Sequence, residues 1–312
     1  MTPEALLAAL PSANGGVPLL RRLVSERIRM FEPMCASLQT SDLSDYLREV
    51  ADIWEVCNRV RGRMAETLVD ELLDGLDFHT VSFLRRQARF AASGHYAASN
   101  PDQVLQNLYL QDDAMRRYLD GLLLTYIAWP NHYRLLRFYK AKYLPSGPAG
   151  TALEIGPGHG WLALQQIRAN AGADFKAVDI SPSSAAYSAG LLEAAGCDMA
   201  RCELVCGDIL KWDGRWRGTA RRVTIAEMIE HVIAPVSVLE QARTLATGDA
   251  IFFVSTCVNI EAVDHLYRFD TLDEVRTVLH AGGLRVDEEL IMPLESSPVT
   301  KSFEYVAICH AR

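Results

Sequence analysis

The chain has 312 residues, about half of them apolar, and carries 31 Lys and Arg against 39 Asp and Glu, a net charge of −8. That length predicts two domains, or one with a large extension, and the apolar share is ample for a core. An acidic chain whose only basic face is the small Arg85, Arg86, Arg89 group argues against a nucleic-acid surface and for a small-molecule or carrier-bound substrate. The longest strongly apolar stretch, Gly121 to Trp129, is far short of a membrane span, and the N-terminus lacks the basic region of a signal peptide. A soluble, cytoplasmic protein without a membrane partner is therefore expected. Seven cysteines fit a reducing compartment, and Cys197, Cys202 and Cys206 match no common zinc spacing, so no metal is expected there. Cys206 is expected to be buried on a strand.

The first half of the chain, to residue 147, reads as an all-α domain. Leu47, Val50, Ile53 and Trp54 form the stripe of an amphipathic helix, with Ser41 and Ser44 as start caps and Gly75 as a stop, and Thr80 to Ala91 forms another helix. Ser93 to Gln103 then drops into polar turn residues around Pro101, an ordinary surface connection or, alternatively, a lid. Leu119, Leu122, Leu123 and Tyr126 mark one helix face, and Leu135, Phe138 and Tyr139 another. Pro130 separates them, because it cannot donate a backbone hydrogen bond and pushes Trp129 away from helical angles. The break presents Trp129, Asn131, His132 and Tyr133. Asn131 and Tyr133 are candidates to line a pocket, the alternative being a plain kink in which Asn131 caps the next helix. Pro145 to Gly150 reads as a linker.

From residue 148 the pattern changes to alternating strands and helices. Thr151 to Leu162, TALEIGPGHGWL, is a short apolar strand carrying an acid, Glu154, that runs into three glycines and then a helix. Gly156, Gly158 and Gly160 remove every second side chain where the backbone must turn sharply and let a ligand approach closely. A dinucleotide fingerprint would require glycine at position 161, which is Trp161, so an NAD reading is weakened. Phe175 to Asp179 predicts a second strand whose terminal acid, roughly 20 residues downstream, suits ribose hydroxyls, followed by Ile180. Leu204 to Ile209, Val223 to Glu227 and Ala250 to Thr256 predict strands three to five. Leu284 to Met292 and Phe303 to His310 predict a closing antiparallel pair.

This ordered set resembles the class I S-adenosylmethionine (SAM) dependent methyltransferases over residues 150 to 312. The resemblance implies an α/β fold with a Rossmann-like, mostly parallel seven-stranded sheet, here preceded by the all-α domain, with the boundary between 147 and 148. It also implies SAM as cofactor, lying across the ends of strands one to three and held by Glu154, Gly156, Gly158, Gly160, Asp179 and Ile180. Asp208 would meet the adenine amino group and Ile209 would pack on the ring. Glu227, with the residues to His231, would lie beside the methionine end or cap the next helix, His231 itself reading as a helix-start or packing residue. Catalytic candidates come from the loop after the fifth strand, where ligands of such sheets bind: His265 as base, with Asp264 and Tyr267 beside it. Trp129, Tyr133 and Trp161 are aromatic candidates for the sulfonium. The implied function is a methyltransferase for a small molecule, in specialised metabolism, with the helical domain closing over the cleft. A second reading is a SAM lyase that cyclises the cofactor, as the azetidine-2-carboxylate synthases do with release of methylthioadenosine, or an aminopropyl-type transferase. A third is a SAM-binding protein without catalysis.

Overall fold

The computed structural model describes residues 1–10, 15–94, 100–294 and 301–312. Its helical half consists, among the described residues, of α1 (Pro3–Ala8), α2 (Val17–Glu26), α3 (Ile28–Ser37), α4 (Leu43–Arg61), α5 (Ala65–Ser93), α6 (Pro101–Val104), α7 (Asp112–Ala128) and α8 (Pro130–Phe138). The α4 stripe is buried as the periodicity predicts, but the helix ends differ. A 3₁₀ turn at Thr40–Asp42 leads into α4 and no side chain caps it, so neither Ser41 nor Ser44 acts as the start cap. The stop is Gly62, left-handed at φ 56°, whose N–H returns to the Asn58 carbonyl at 2.8 Å.

Gly75 does not end a helix, because α5 runs straight through it. Its role is at a helix crossing: a Cβ on Gly75 would lie 2.6 Å from the Asp120 Cβ, and one on Gly121 would lie 2.3 Å from the Gly75 carbonyl oxygen. Two glycines facing each other let α5 and α7 touch backbone to backbone. Gly121→Ala is expected to force these helices apart at a cost of roughly 1–3 kcal/mol. A fall in Tm of several degrees in a thermal melt checks this, and an unchanged Tm would contradict it.

Pro130 breaks the chain as its covalent geometry requires, with Trp129 extended at φ −115° and ψ 127° between α7 and α8. Asn131 is not a cap; its side-chain amide donates to Glu304 Oε2 at 3.1 Å. After α8 a π-type turn, Tyr139–Tyr143, delivers the chain to the sheet. Pro145 to Gly150 is more than a linker, since Arg222 reaches the carbonyls of Tyr143, Leu144, Ser146 and Pro148 and so satisfies backbone acceptors that the end of a helical run leaves open. Within the 93–103 segment, residues 95–99 lie outside the described residues; Asn100 caps α6 through the Asp102 and Gln103 N–H groups.

The second half contains β1 (Ala152–Ile155), α9 (Trp161–Ala169), β2 (Phe175–Asp179), α10 (Pro182–Ala194), β3 (Cys202–Cys206), β4 (Ala220–Ala226), α11 (Pro235–Leu245), β5 (Ala246–Val258), α12 (Leu272–Ala281), β6 (Leu284–Leu294) and β7 (Ser302–Ala311). The strands form one sheet in the order β3-β2-β1-β4-β5-β7-β6. β1 to β5 pair in parallel, and β7 inserts antiparallel between β5 and β6. This is the predicted Rossmann-like sheet with its closing antiparallel pair. The strand order reverses at β1/β4, which opens a crevice at their carboxyl ends. Cys206, expected inside, is exposed, because β3 is the sheet edge; all seven cysteines are unpaired.

One apolar cluster runs without interruption from Leu6 through the helical half to Ile251, Phe253 and Met292 of the sheet. A second, around Val238, Phe252 and Leu279, packs α11 and α12 against the sheet. Polar ties cross the same junction. Trp161 Nε1 donates to Glu49 Oε1 at 2.7 Å, which makes this buried indole a fastener between α9 and α4 rather than a pocket aromatic. Asp120 of α7 is fully buried and pairs with Arg61 of α4, and it accepts the Tyr187 hydroxyl of α10 at 2.8 Å. Among the described residues no helix is long and apolar enough to cross a membrane.

Candidate active site

A cavity of about 410 Å³ lies at the carboxyl ends of β1, β2 and β4 and is roofed by Leu119, Leu122 and Tyr126 of α7. Its floor is the glycine turn. Gly156, Gly158 and Gly160 all sit at positive φ, between 57° and 76°. A Cβ on Gly158 would point at Leu122 and Leu119 from 3.9 and 4.0 Å, so its absence keeps this part of the cavity open. Gly160 serves packing instead: a Cβ there would meet Ser188 of α10 at 3.1 Å.

Asp179 is pinned at the end of β2. It accepts Ser184 Oγ at 2.6 Å, the Ser181 N–H at 2.9 Å and, at 3.4 Å, the Gly158 N–H. A carboxylate has about four lone-pair positions, so one remains for a ligand on the cavity side. Burial lifts this carboxyl above its ordinary value, against the pull of those donors. Ile180, Asp208 and Ile209 line the cavity beside it. β3 stops at Cys206, and Asp208 caps the 3₁₀ turn Ile209–Lys211 through the Leu210 N–H at 2.9 Å.

Two further carboxyls face the cavity without full partners. Glu154 on β1 is 3% exposed, and its Oε2 has no hydrogen-bond partner among the described residues. Burial, and then the charge of Asp179, push its carboxyl well above the usual range. Glu227, directly after β4, has a buried and unpartnered Oε1 and a left-handed backbone at φ 47°. A side chain with a Cβ pays for that conformation, and such strain persists where the surroundings hold the residue in place for a purpose. Here the Glu227 N–H is fixed by Ser255, at 3.1 Å to both its carbonyl and its Oγ.

The titratable pair on the cavity wall is His231 with Asp264. His231 Nδ1 lies 3.2 Å from the Asp264 carbonyl and 3.3 Å from its Oδ2. Asp264 also accepts the Tyr118 hydroxyl at 2.9 Å and the Tyr109 hydroxyl at 3.4 Å, so the helical half holds this pair directly. Burial works against a charged His231, but Asp264 and Glu230 outweigh it and raise the imidazole above its ordinary value. For Asp264 burial is likewise outweighed, by His231 and then His265, and its carboxyl is lowered.

The residues singled out in the sequence divide between cavity and support. His265 lies behind His231, ring edge to face at 5.0 Å, with Nδ1 at 3.0 Å from the Ile260 carbonyl; burial and the neighbouring His231 lower it to about 4. Tyr267 donates to Glu274 at 2.9 Å and packs with its ring tilted against Phe269, outside the cavity lining. Tyr133 meets Tyr46 edge-on at 5.4 Å, and Trp129 packs among His79, Phe83 and His132, both away from the lining. Asn131 lies one layer behind the cavity, on Glu304. Sequence reasoning missed Tyr109, Tyr118 and Glu304 altogether. It placed His132 at the helix break without giving it a partner, and read His231 as packing.

No family model matches this sequence, and no curated protein matches it. Solved structures do. The chain is similar to the mitomycin 7-O-methyltransferase MmcR at 17% identity, covering 100% of this chain and 88% of that one with a TM-score of 0.50. It is also similar to the [4+2]-cyclase SpnF, at 12% identity over 77% of this chain and 94% of that one with a TM-score of 0.48. A SAM-dependent methyltransferase from Aquifex aeolicus matches at 15% identity over 56% of this chain and 97% of that one, with a TM-score of 0.43. What the first of these likenesses shows is the fold, that of the class I SAM-dependent methyltransferases.

Proposed function

We propose that this chain is a SAM-dependent methyltransferase acting on a small molecule in specialised metabolism and working, with its cysteines unpaired, in the cytoplasm. The observation that carries the reading is the pairing of an open glycine turn with the unpartnered, buried Glu154 carboxyl in one cavity. SAM fits these groups: Glu154 offers an acceptor to the ammonium of the methionine chain, Asp179 keeps a lone-pair position for a ribose hydroxyl, and Asp208 and Ile209 border the space for the base. When bound, SAM supplies a methyl group on a sulfonium, an activated leaving group that requires no metal. The protein's task is then to align the acceptor, exclude water and take up a proton. Leu119, Leu122 and Tyr126 close the roof against water, and His231, oriented by Asp264, is the base for an acceptor hydroxyl or ammonium.

The test is to incubate the purified protein with SAM alone and with acceptor panels and identify the adenosine product by mass spectrometry. S-adenosylhomocysteine formed only with an acceptor supports methyl transfer. Methylthioadenosine released from SAM alone would overturn it in favour of cyclisation. Asp179→Ala is expected to weaken S-adenosylhomocysteine at least about tenfold by calorimetry, the loss of a charge-assisted hydrogen bond to the ribose. Unchanged affinity would contradict the ribose assignment.

A further inference from the structure

Behind Glu227 and His132, which line the cavity, stands Glu304, whose carboxyl burial and then the charge of Glu227 push well above the usual range, with a hydrogen bond to the Glu227 side chain. A ring nitrogen of His132 and carboxylate oxygens of Glu227 and Glu304 all lie within 4.8 Å of one another. His132 and Glu304 are 9% and 2% exposed. Glu304 Oε2 is taken by Asn131, but its Oε1 has no partner outside this carboxyl pair, nor has Oε1 of Glu227. The tautomer of His132 follows from its neighbour. Thr125 Oγ donates its single proton to the Leu122 carbonyl at 2.5 Å, so at 2.6 Å it accepts from His132 Nδ1–H. The other ring nitrogen, Nε2, then carries a lone pair.

A ring nitrogen of His132 and a hydrogen-bonded pair of carboxyls thus converge in a buried place, one carboxyl on a residue held in a strained backbone conformation. Two carboxyls facing each other out of water either share a proton or meet a donor with positive charge, which releases that proton. An alkylammonium brings three N–H groups, one for each acceptor. With charge-assisted contacts of about 2.8 Å, its tetrahedral directions space the acceptors by roughly 4.6 Å, so the two hydrogen-bonded carboxyls part to admit it. A hydroxyl brings one proton and leaves two acceptors unmet. The lining holds a single Lys or Arg, Lys211, which is exposed and 3.2 Å from Asp208, so among the described residues no cation of the cavity wall answers this group.

We propose that His132, Glu227 and Glu304 form an ammonium pocket that receives the amine nucleophile of the reaction. This inference rests on the SAM reading above. Two sources share the chemistry: the amine of a separate acceptor, and the amino group of SAM's own methionine chain. In either case the ammonium gives one proton to His231, the base on the same cavity wall, the nitrogen lone pair forms the new N–C bond, and the C–S bonding pair stays on sulfur as a neutral thioether.

The experiment is calorimetry of wild type, Glu304→Gln and Glu227→Gln with four probes: S-adenosylhomocysteine, methylthioadenosine, 2-phenylethylamine and its neutral isostere 2-phenylethanol. Circular dichroism and Tm establish that each variant is folded, and two independent variants guard against the loss of one. If a separate acceptor supplies the amine, wild type prefers 2-phenylethylamine by at least about tenfold, and both variants abolish the preference while S-adenosylhomocysteine binds unchanged. If SAM supplies it, the variants weaken S-adenosylhomocysteine by about tenfold and leave methylthioadenosine, which lacks the amino-acid chain, unaffected. The proposal is overturned if neither probe pair responds, the result expected of a proton shared between the two carboxyls. It is equally overturned if wild type binds Mn²⁺ by electron paramagnetic resonance and Glu304→Gln does not, which assigns the group to a metal. Failure of wild type to bind S-adenosylhomocysteine would instead count against the SAM reading, and the amine preference is measured without it.

Discussion

His231→Ala is expected to lower kcat with a saturating acceptor by about 10²–10⁴-fold, the usual contribution of a positioned acid–base group, while S-adenosylhomocysteine affinity stays within a factor of about two. The size follows from the geometry. His231 is the one imidazole on the cavity wall whose value is raised toward the working range, whereas His132 and His159 are lowered to about 3 by burial. The pH dependence carries a sign. A base must be neutral, so activity rises with pH through the His231 value, which lies above the ordinary histidine figure because Asp264 and Glu230 outweigh burial. Asp264→Asn removes the charge and leaves the burial, so the acid limb of kcat/KM moves to lower pH even as turnover falls. Measured pH profiles of the two variants decide this; an acid limb that stays in place in Asp264→Asn would remove His231 from the role of base.

How far such a site can be read in advance depends on how local its parts are. The glycine turn, Asp179 and the strands around them are written within short windows, and the sheet they predict is the one observed. The break at Trp129 and Pro130 is equally local, because ring geometry alone imposes it. The rest depends on partners far apart in the chain. Tyr118 meets Asp264, and Asn131 meets Glu304, across most of the sheet half, and nothing near either residue announces the other. His231 reads as packing until Asp264 is beside it. Gly75 was legible as a glycine and misleading as a stop, because a backbone-to-backbone crossing with Gly121 needs the same missing Cβ that a helix end does. Cys206 could be placed on a strand, but only sheet order decides that β3 is the edge.

The same dependence on distant partners governs how the helical half stays seated over the cavity. Asp120→Ala is expected to cost about 3–5 kcal/mol of stability, the range for removing one partner of a buried ion pair. Asp120 has no exposure, and burial raises its carboxyl above the ordinary value in spite of the Arg61 guanidinium against it. Arg61, 11% exposed, would keep only the Glu71 carboxylate at 2.9 Å, and the Tyr187 hydroxyl would lose its acceptor. Because Arg61, Asp120 and Tyr187 sit on α4, α7 and α10, the loss falls on the junction between the helical half and the sheet half. Asp120→Asn retains the shape and an acceptor for Tyr187, and should cost less. The replacement of charge by an amide isolates the Coulombic share. Denaturant unfolding of the two variants, with S-adenosylhomocysteine affinity measured alongside, separates the cases. A roof seated by this pair predicts that Asp120→Ala loses ligand affinity together with stability, since Leu119, Leu122 and Tyr126 on the same helix close the cavity. Stability lost with affinity intact would mean that the cavity is held by the sheet alone and that α7 contributes only cover.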